Sequence, residues 1–71
     1  MKFNPVKFGK LMCAARRIDG LGLKRVAPII DLDYSYLSLL ENGKRTPSMA
    51  VFVKLCGFYR MDPGGTLSQC L

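Results

Sequence analysis

The residues best equipped for chemistry in this 71-residue chain are cations and small polar groups, and no common catalytic set can be assembled from them. There is no histidine. That excludes imidazole acid–base chemistry, Cys–His and Ser–His nucleophile pairs, and mixed Cys/His zinc sites. The three cysteines, Cys13, Cys56 and Cys70, are odd in number, widely spaced and without a Cys-x-x-Cys pair. They fall short of a four-ligand zinc site and of a disulfide framework. They read instead as small, reduced hydrophobic side chains. Gly20-x-Gly22 ahead of Arg25 is not a dinucleotide fingerprint, and Gly43-Lys44-Arg45 is not a phosphate loop. No catalytic residue, metal ligand or cofactor is expected, and the chain does not read as an enzyme. What remains is recognition by charge. Eleven Lys and Arg stand against five Asp and Glu, for a net charge of +6. That balance points to an acidic partner, nucleic acid before an anionic membrane.

Something must hold these cations in place. The chain is 49% apolar, with a mean hydropathy of +0.14, so it fails the low-hydrophobicity condition for disorder. A chain of this length buries only about 60% of its unfolded surface, which leaves room for one core and one domain over residues 1–71. Lys2, Lys7, Lys10, Arg16 and Arg17 interrupt any apolar signal-peptide core, and the charge-free stretches are too short to span a bilayer. A cytoplasmic protein with no membrane partner is expected.

The spacing predicts helices throughout. Asn4-Pro5 starts the first, with Phe8, Leu11, Met12, Ala15 and Ile18 turned inward and Asp19-Gly20 ending it. A second helix runs over about 23–30 with Val26, Ala27 and Ile30 inward; Pro28 should kink or shorten it. Asp33 caps a third helix over about 34–41, with Leu37 and Leu40 inward and Asn42-Gly43 as its stop. Ser48 caps a fourth, from about Met49 to Tyr59. Asp62-Pro63 starts a fifth that Gly64-Gly65 should weaken, with Leu67 and Leu71 available to pack. The expected fold class is all-α, a compact domain of four to five helices.

The segment from Gly20 to Pro47 carries the sharpest signal. A short helix with Ala27 is followed by a turn with Asp31, then by a capped helix. Ser35-Tyr36-Leu37-Ser38 leads into Glu41-Asn42-Gly43-Lys44-Arg45-x-Pro47-Ser48. This resembles the helix-turn-helix of the Cro/phage-repressor type, the xenobiotic-response-element-like family, over about Phe8 to Leu67. The resemblance implies a lambda-repressor-like fold in which the third helix enters the DNA major groove while the second crosses the backbone. It implies that Tyr34, Ser35, Ser38 and Leu39 face base edges, and that Asn42, Gly43, Lys44 and Arg45 lie near phosphates, joined by Lys24 and Arg25. It also implies a structural ion pair between Arg16 and Glu41. The chain departs from the family in several places. Gly22 and Leu23 stand where Ser/Thr and Gln are usual, and Asp31 replaces the usual turn glycine, a residue type that tolerates the left-handed region. The recognition helix has no Arg, Gln or Asn between Tyr34 and Leu40. Bidentate reading of guanine or adenine from that stretch is therefore not available. DNA shape, or Asn42 and Arg45, must supply the rest.

The fourth helix is apolar nearly all round. With Met49, Phe52, Val53, Cys56 and Tyr59 as its core face, Val51, Leu55 and Phe58 form a second stripe. Together with Leu67 and Leu71 that stripe is expected to be a homodimer interface. A two-fold dimer would set two recognition helices one DNA turn apart on an inverted repeat of double-stranded DNA. The sequence thus reads as a DNA-binding transcriptional regulator, a small repressor or autorepressor acting by promoter occlusion, with no small-molecule ligand evident. The alternative is a helix-turn-helix protein-interaction subunit, an antitoxin-like partner. A membrane-active cationic peptide is disfavoured, since no helix pairs a clean basic face with a continuous apolar one.

Overall fold

The helices begin where a side chain can accept from backbone N–H groups that have no partner within the helix. In the computed structural model, which describes residues 2–71, Asn4 Oδ1 accepts from the Val6 and Lys7 amides at 3.0 and 3.1 Å and starts α1 (Pro5–Ile18). Asp33 Oδ2 accepts from the Ser35 and Tyr36 amides at 3.0 and 3.4 Å and starts α3 (Tyr34–Glu41). Ser48 starts α4 (Met49–Phe58) through a 3.2 Å bond from Val51 N, and Asp62 starts α5 (Pro63–Gln69) through a 2.7 Å bond from Gly65 N. Only α2 (Leu23–Ile29) lacks a side-chain cap, because Gly22 occupies that place.

Four helices end alike. Gly20, Asp31, Gly43 and Arg60 take positive φ of 70°, 54°, 72° and 57°. The next amide then reaches back across the last turn: Leu21 to Arg16, Leu32 to Ala27, Lys44 to Leu39 and Met61 to Cys56, at 2.8–3.2 Å. This is the Schellman closure, which satisfies carbonyls that the helix leaves open. Pro28 lies inside α2, which ends one residue beyond it. It sits in the last turn, and the helix continues to Ile29 before Ile30 N bonds to Val26 O at 3.1 Å.

The core forms where the helices cross. Phe8 and Met12 of α1, Val26 and Ala27 of α2, Leu37 and Leu40 of α3 are all buried, with Ile30 closing α2 beneath them. Phe3, Phe8 and Phe52 form an aromatic cluster with centroids 5.6–6.3 Å apart. The α1–α3 crossing is close enough to require glycine: a Cβ on Gly9 would stand 2.5 Å from the Glu41 carbonyl oxygen. Opposite it, a Cβ on Gly43 would meet Val6 at 2.9 Å, so Gly43 is held by space as well as by φ.

Four packing expectations are corrected. On α4 the buried arc is Phe52, Leu55 and Cys56, so Leu55, at 2% exposure, belongs to the core and not to a surface stripe. Val51 and Phe58 pack half-buried against the same core, on the flank from which Lys54 Nζ reaches the Ile30 carbonyl at 3.0 Å. Met49 and Val53, expected inside, are 70% and 48% exposed. The helix is apolar on both flanks, and the position of α2 and α5 settles which flank turns in. Ile18, in the last turn of α1, points to solvent at 84% exposure, beyond the reach of the other helices. In α5 the inward residues are Thr66 and Cys70, while Leu67 and Leu71 stay more than one-third exposed. Asn4 N bonds to Cys70 O and Lys7 Nζ bonds to Leu71 O at 2.7 Å, so α5 is seated on the start of α1 despite its two glycines.

Candidate nucleic-acid interface

α2 and α3 meet at the Asp31 turn, where the positive φ of Asp31 lets Leu32 N return to Ala27 O at 3.0 Å. Short aspartate can take this conformation at modest cost, so the replacement of glycine leaves the turn intact. α3 then presents one outward face. Tyr34 (44% exposed), Ser35 and Leu39 (36%) are open to solvent, and Ser38 is half-buried beside them. All four expected base-reading residues share this face.

The cations flank it. Lys24 Nζ lies 5.9 Å from the centroid of the Tyr34 ring, within cation–π range. That contact joins the start of α2 to the start of α3. Arg25 is exposed in the same turn of α2. At the other end of α3, Lys44 and Arg45 are exposed, and among the described residues neither makes an ion pair. Gly43 and Asn42, expected with them near phosphates, also make hydrogen bonds within the protein. The Gly43 amide donates to Leu40 O at 3.1 Å and so helps to close the end of α3. The Asn42 side chain turns back on α3, with Nδ2 2.8 Å from Ser38 O and 3.4 Å from Ser38 Oγ.

The far end of α3 is anchored from below. Arg16 Nε and Nη2 donate to the two carboxylate oxygens of Glu41 at 2.8 and 2.9 Å, and Nη1 donates to Leu21 O at 2.9 Å. The side chains are 14% and 8% exposed. The forked pair with Glu41 holds the Arg16 proton more tightly than usual, outweighing the cost of burial. The expected ion pair is therefore present, and it ties α1 to both the α1–α2 loop and the end of α3. Nearby Tyr59 has its hydroxyl pushed up to about 12, first by burial and then by the Glu41 charge. Burial also raises the Cys56 and Cys70 thiols.

On the side of the molecule bearing Phe3, an apolar groove is lined by Thr46, Pro47, Met49, Phe52 and Leu67. Sequence spacing pointed to an apolar surface on α4 but placed it on the wrong flank. It also missed the Asn42–Ser38 contact, which the i, i+4 spacing alone could have suggested. Among the described residues no helix is long and apolar enough to cross a membrane, and no group of His, Cys, Asp and Glu could hold a metal ion.

A helix-turn-helix family model matches residues 14–65. Among solved structures, the restriction-modification controller protein C.AhdI from Aeromonas hydrophila is 31% identical, over 87% of this chain and 94% of that one, with a TM-score of 0.79. Two structures of the clp gene regulator ClgR from Corynebacterium glutamicum are 20% identical, with TM-scores of 0.81 and 0.83. They cover 99% and 97% of this chain and 91% and 73% of their own. At that identity the likeness is one of fold. No curated protein matches the chain.

Proposed function

Because the chain belongs to the Cro/phage-repressor-type helix-turn-helix family, we propose that it is a cytoplasmic, sequence-specific DNA-binding transcriptional regulator. Its specific form is a small dimeric repressor that occludes a promoter, its own included, at an inverted repeat. One observation carries this reading: an outward face of α3 flanked at both ends by exposed, unpaired cations. α3 enters the major groove, with Tyr34, Ser35, Ser38 and Leu39 toward base edges. Lys24, Arg25, Lys44 and Arg45 neutralise phosphates on either side. The likeness to a restriction-modification controller supports a regulatory role for this domain. Direct readout is modest, because α3 offers hydroxyls and apolar groups to the bases. Arg45 and the shape of the duplex supply further discrimination.

The dimer reading stands with a changed surface. Leu55 lies within the protomer, and Val51 and Phe58 pack on its core. The interface is instead assigned to Met49 and Val53 of α4 with Leu67 and Leu71, the exposed large apolar residues on α4 and at the C-terminal end. The experiment is a gel shift on the DNA upstream of the gene, over a range of salt. Replacing both Lys44 and Arg45 by Ala should weaken binding to every duplex. It should also lower the salt slope by about one unit for each phosphate no longer neutralised. An unchanged slope would remove these residues from the phosphate set.

The groove beside Met49 favours a second reading, a protein-interaction subunit whose partner is another gene product. Absence of DNA binding at low salt, with a stable complex with a neighbouring gene's product, would replace the repressor reading by this one.

A further inference from the structure

We infer that the outward face of α1 docks an acidic amphipathic helix of another protein, about three turns long. That face carries cations which the DNA-binding reading leaves unused. Of the eleven Lys and Arg, Lys24, Arg25, Lys44 and Arg45 frame α3. Arg16 is paired with Glu41, and Lys54 is bonded to the Ile30 carbonyl. Among the remaining five, Lys7, Lys10 and Arg17 stand on α1. All three are exposed, and among the described residues none is in an ion pair; Lys7 keeps its charge while donating to the Leu71 carbonyl. Side chains three and four residues apart share one side of a helix. Lys7, Lys10, Ala14 and Arg17 thus make one row, with Leu11, Ala15 and Ile18 in the row beside it. Both rows lie across the helix from Phe8, Gly9 and Met12, the side of α1 that is buried.

The face is also concave. Two shallow grooves meet at Leu11 and Ala14, one running to Gln69 of α5 and the other to Ile18, Tyr59 and Met61. Ile18, at 84% exposure, is the most exposed large apolar side chain among the described residues, and it stands in the second groove. The charge along the rim selects the occupant. Of the five Asp and Glu, only Asp19 borders these grooves. A helix with an apolar row set into the grooves and Asp or Glu along one edge meets all three cations. A basic helix would oppose them. From Lys7 to Ile18 the face runs about 16 Å along the axis, which sets the length of the partner helix. Two other anionic partners fit less well. A duplex would meet the cations but would gain nothing from the apolar row beside them. A bilayer surface needs a broad apolar face to bury, and here one large side chain stands fully clear.

The test uses the full chain. A displayed library of random peptides of about 16 residues is selected on wild type and counter-selected on Lys10→Glu/Arg17→Glu and on Ile18→Ser. Both variants alter exposed positions, and thermal melting checks that each folds. Peptides that pass should carry an excess of Asp and Glu, with apolar residues three and four apart. Their affinity, read by fluorescence anisotropy, should fall about tenfold in Lys10→Glu/Arg17→Glu and about tenfold in Ile18→Ser. Amide shifts on binding, in a two-dimensional NMR spectrum, should map to residues 7–18 and to Tyr59 and Met61. The proposal is overturned if no peptide distinguishes wild type from the two variants, if the selected peptides show no acidic excess, or if the shifts fall on α3 or beside Met49. A DNA duplex and phosphatidylglycerol vesicles are the remaining probes. Loss of binding to either in Lys10→Glu/Arg17→Glu would assign the face to nucleic acid or to lipid, and would overturn the proposal as well. Failure of the chain to bind any duplex would overturn the DNA-binding reading and leave this one standing.

Discussion

The Arg16–Glu41 pair shows how one contact between distant residues serves several elements. Its two hydrogen bonds, at 2.8 and 2.9 Å, lie largely out of solvent, and the third guanidinium bond fixes the Leu21 carbonyl. Removing one partner leaves the other charge uncompensated, which is more damaging than losing the pair's net attraction. Glu41→Ala should therefore cost about 3 kcal/mol in urea unfolding, more than an exposed substitution such as Arg17→Ala. Tyr59, near the pair, gives a second residue-scale test. Its hydroxyl rises from an ordinary value of 10.0 to about 12. The folded chain keeps this proton at a pH where the unfolded chain releases it. The stabilisation is therefore complete below about pH 10 and is lost as pH climbs toward 12. Tyr59→Phe should flatten the fall in melting temperature across that window. Some slope should remain, since burial raises the Cys56 and Cys70 thiols in the same sense.

At the scale of elements, the chain ends its helices by one device with unequal residues. Gly20 and Gly43 take positive φ without strain, whereas Asp31 and Arg60 carry a Cβ into the left-handed region. A non-glycine residue there costs roughly 1–2 kcal/mol, eased for aspartate by its short polar side chain. Arg60→Gly should accordingly raise stability by about 1 kcal/mol and Asp31→Gly by less, both read by thermal or urea melting. A loss of stability in Arg60→Gly would mean that its side chain contributes more than its backbone costs. The caps at Asn4, Asp33, Ser48 and Asp62 were all legible in the sequence, because a cap is a local event between a side chain and amides two or three residues on. The face of α4 was not. Met49, Val51, Phe52, Val53, Leu55, Cys56 and Phe58 satisfy helical spacing on either flank, so periodicity had a single charged residue, Lys54, with which to choose.

At the scale of the whole molecule, part of the positive charge frames α3 while exposed apolar residues line a groove on α4. Lys24, Arg25, Lys44 and Arg45 frame α3, while Met49 and Leu67 line the groove beside Phe3. The proposed dimer and the core now make opposite demands on α4. Val53→Asp should leave a folded chain that sediments as a monomer, because Val53 is 48% exposed. Leu55→Ala should instead cost about 2–5 kcal/mol of stability, because Leu55 is sealed within the protomer. A Val53→Asp protein that remains dimeric would place the interface elsewhere.

The sequence by itself determined the helices, their caps, the Gly20–Pro47 helix-turn-helix and the pairing of Arg16 with Glu41. The helices and caps follow from short-range chemistry, and the helix-turn-helix and the Arg16–Glu41 pair from the resemblance of the motif to a known family. It did not determine which apolar residues would be left outside. That depended on where α2 and α5 came to rest against α4, and on the close α1–α3 crossing that Gly9 permits.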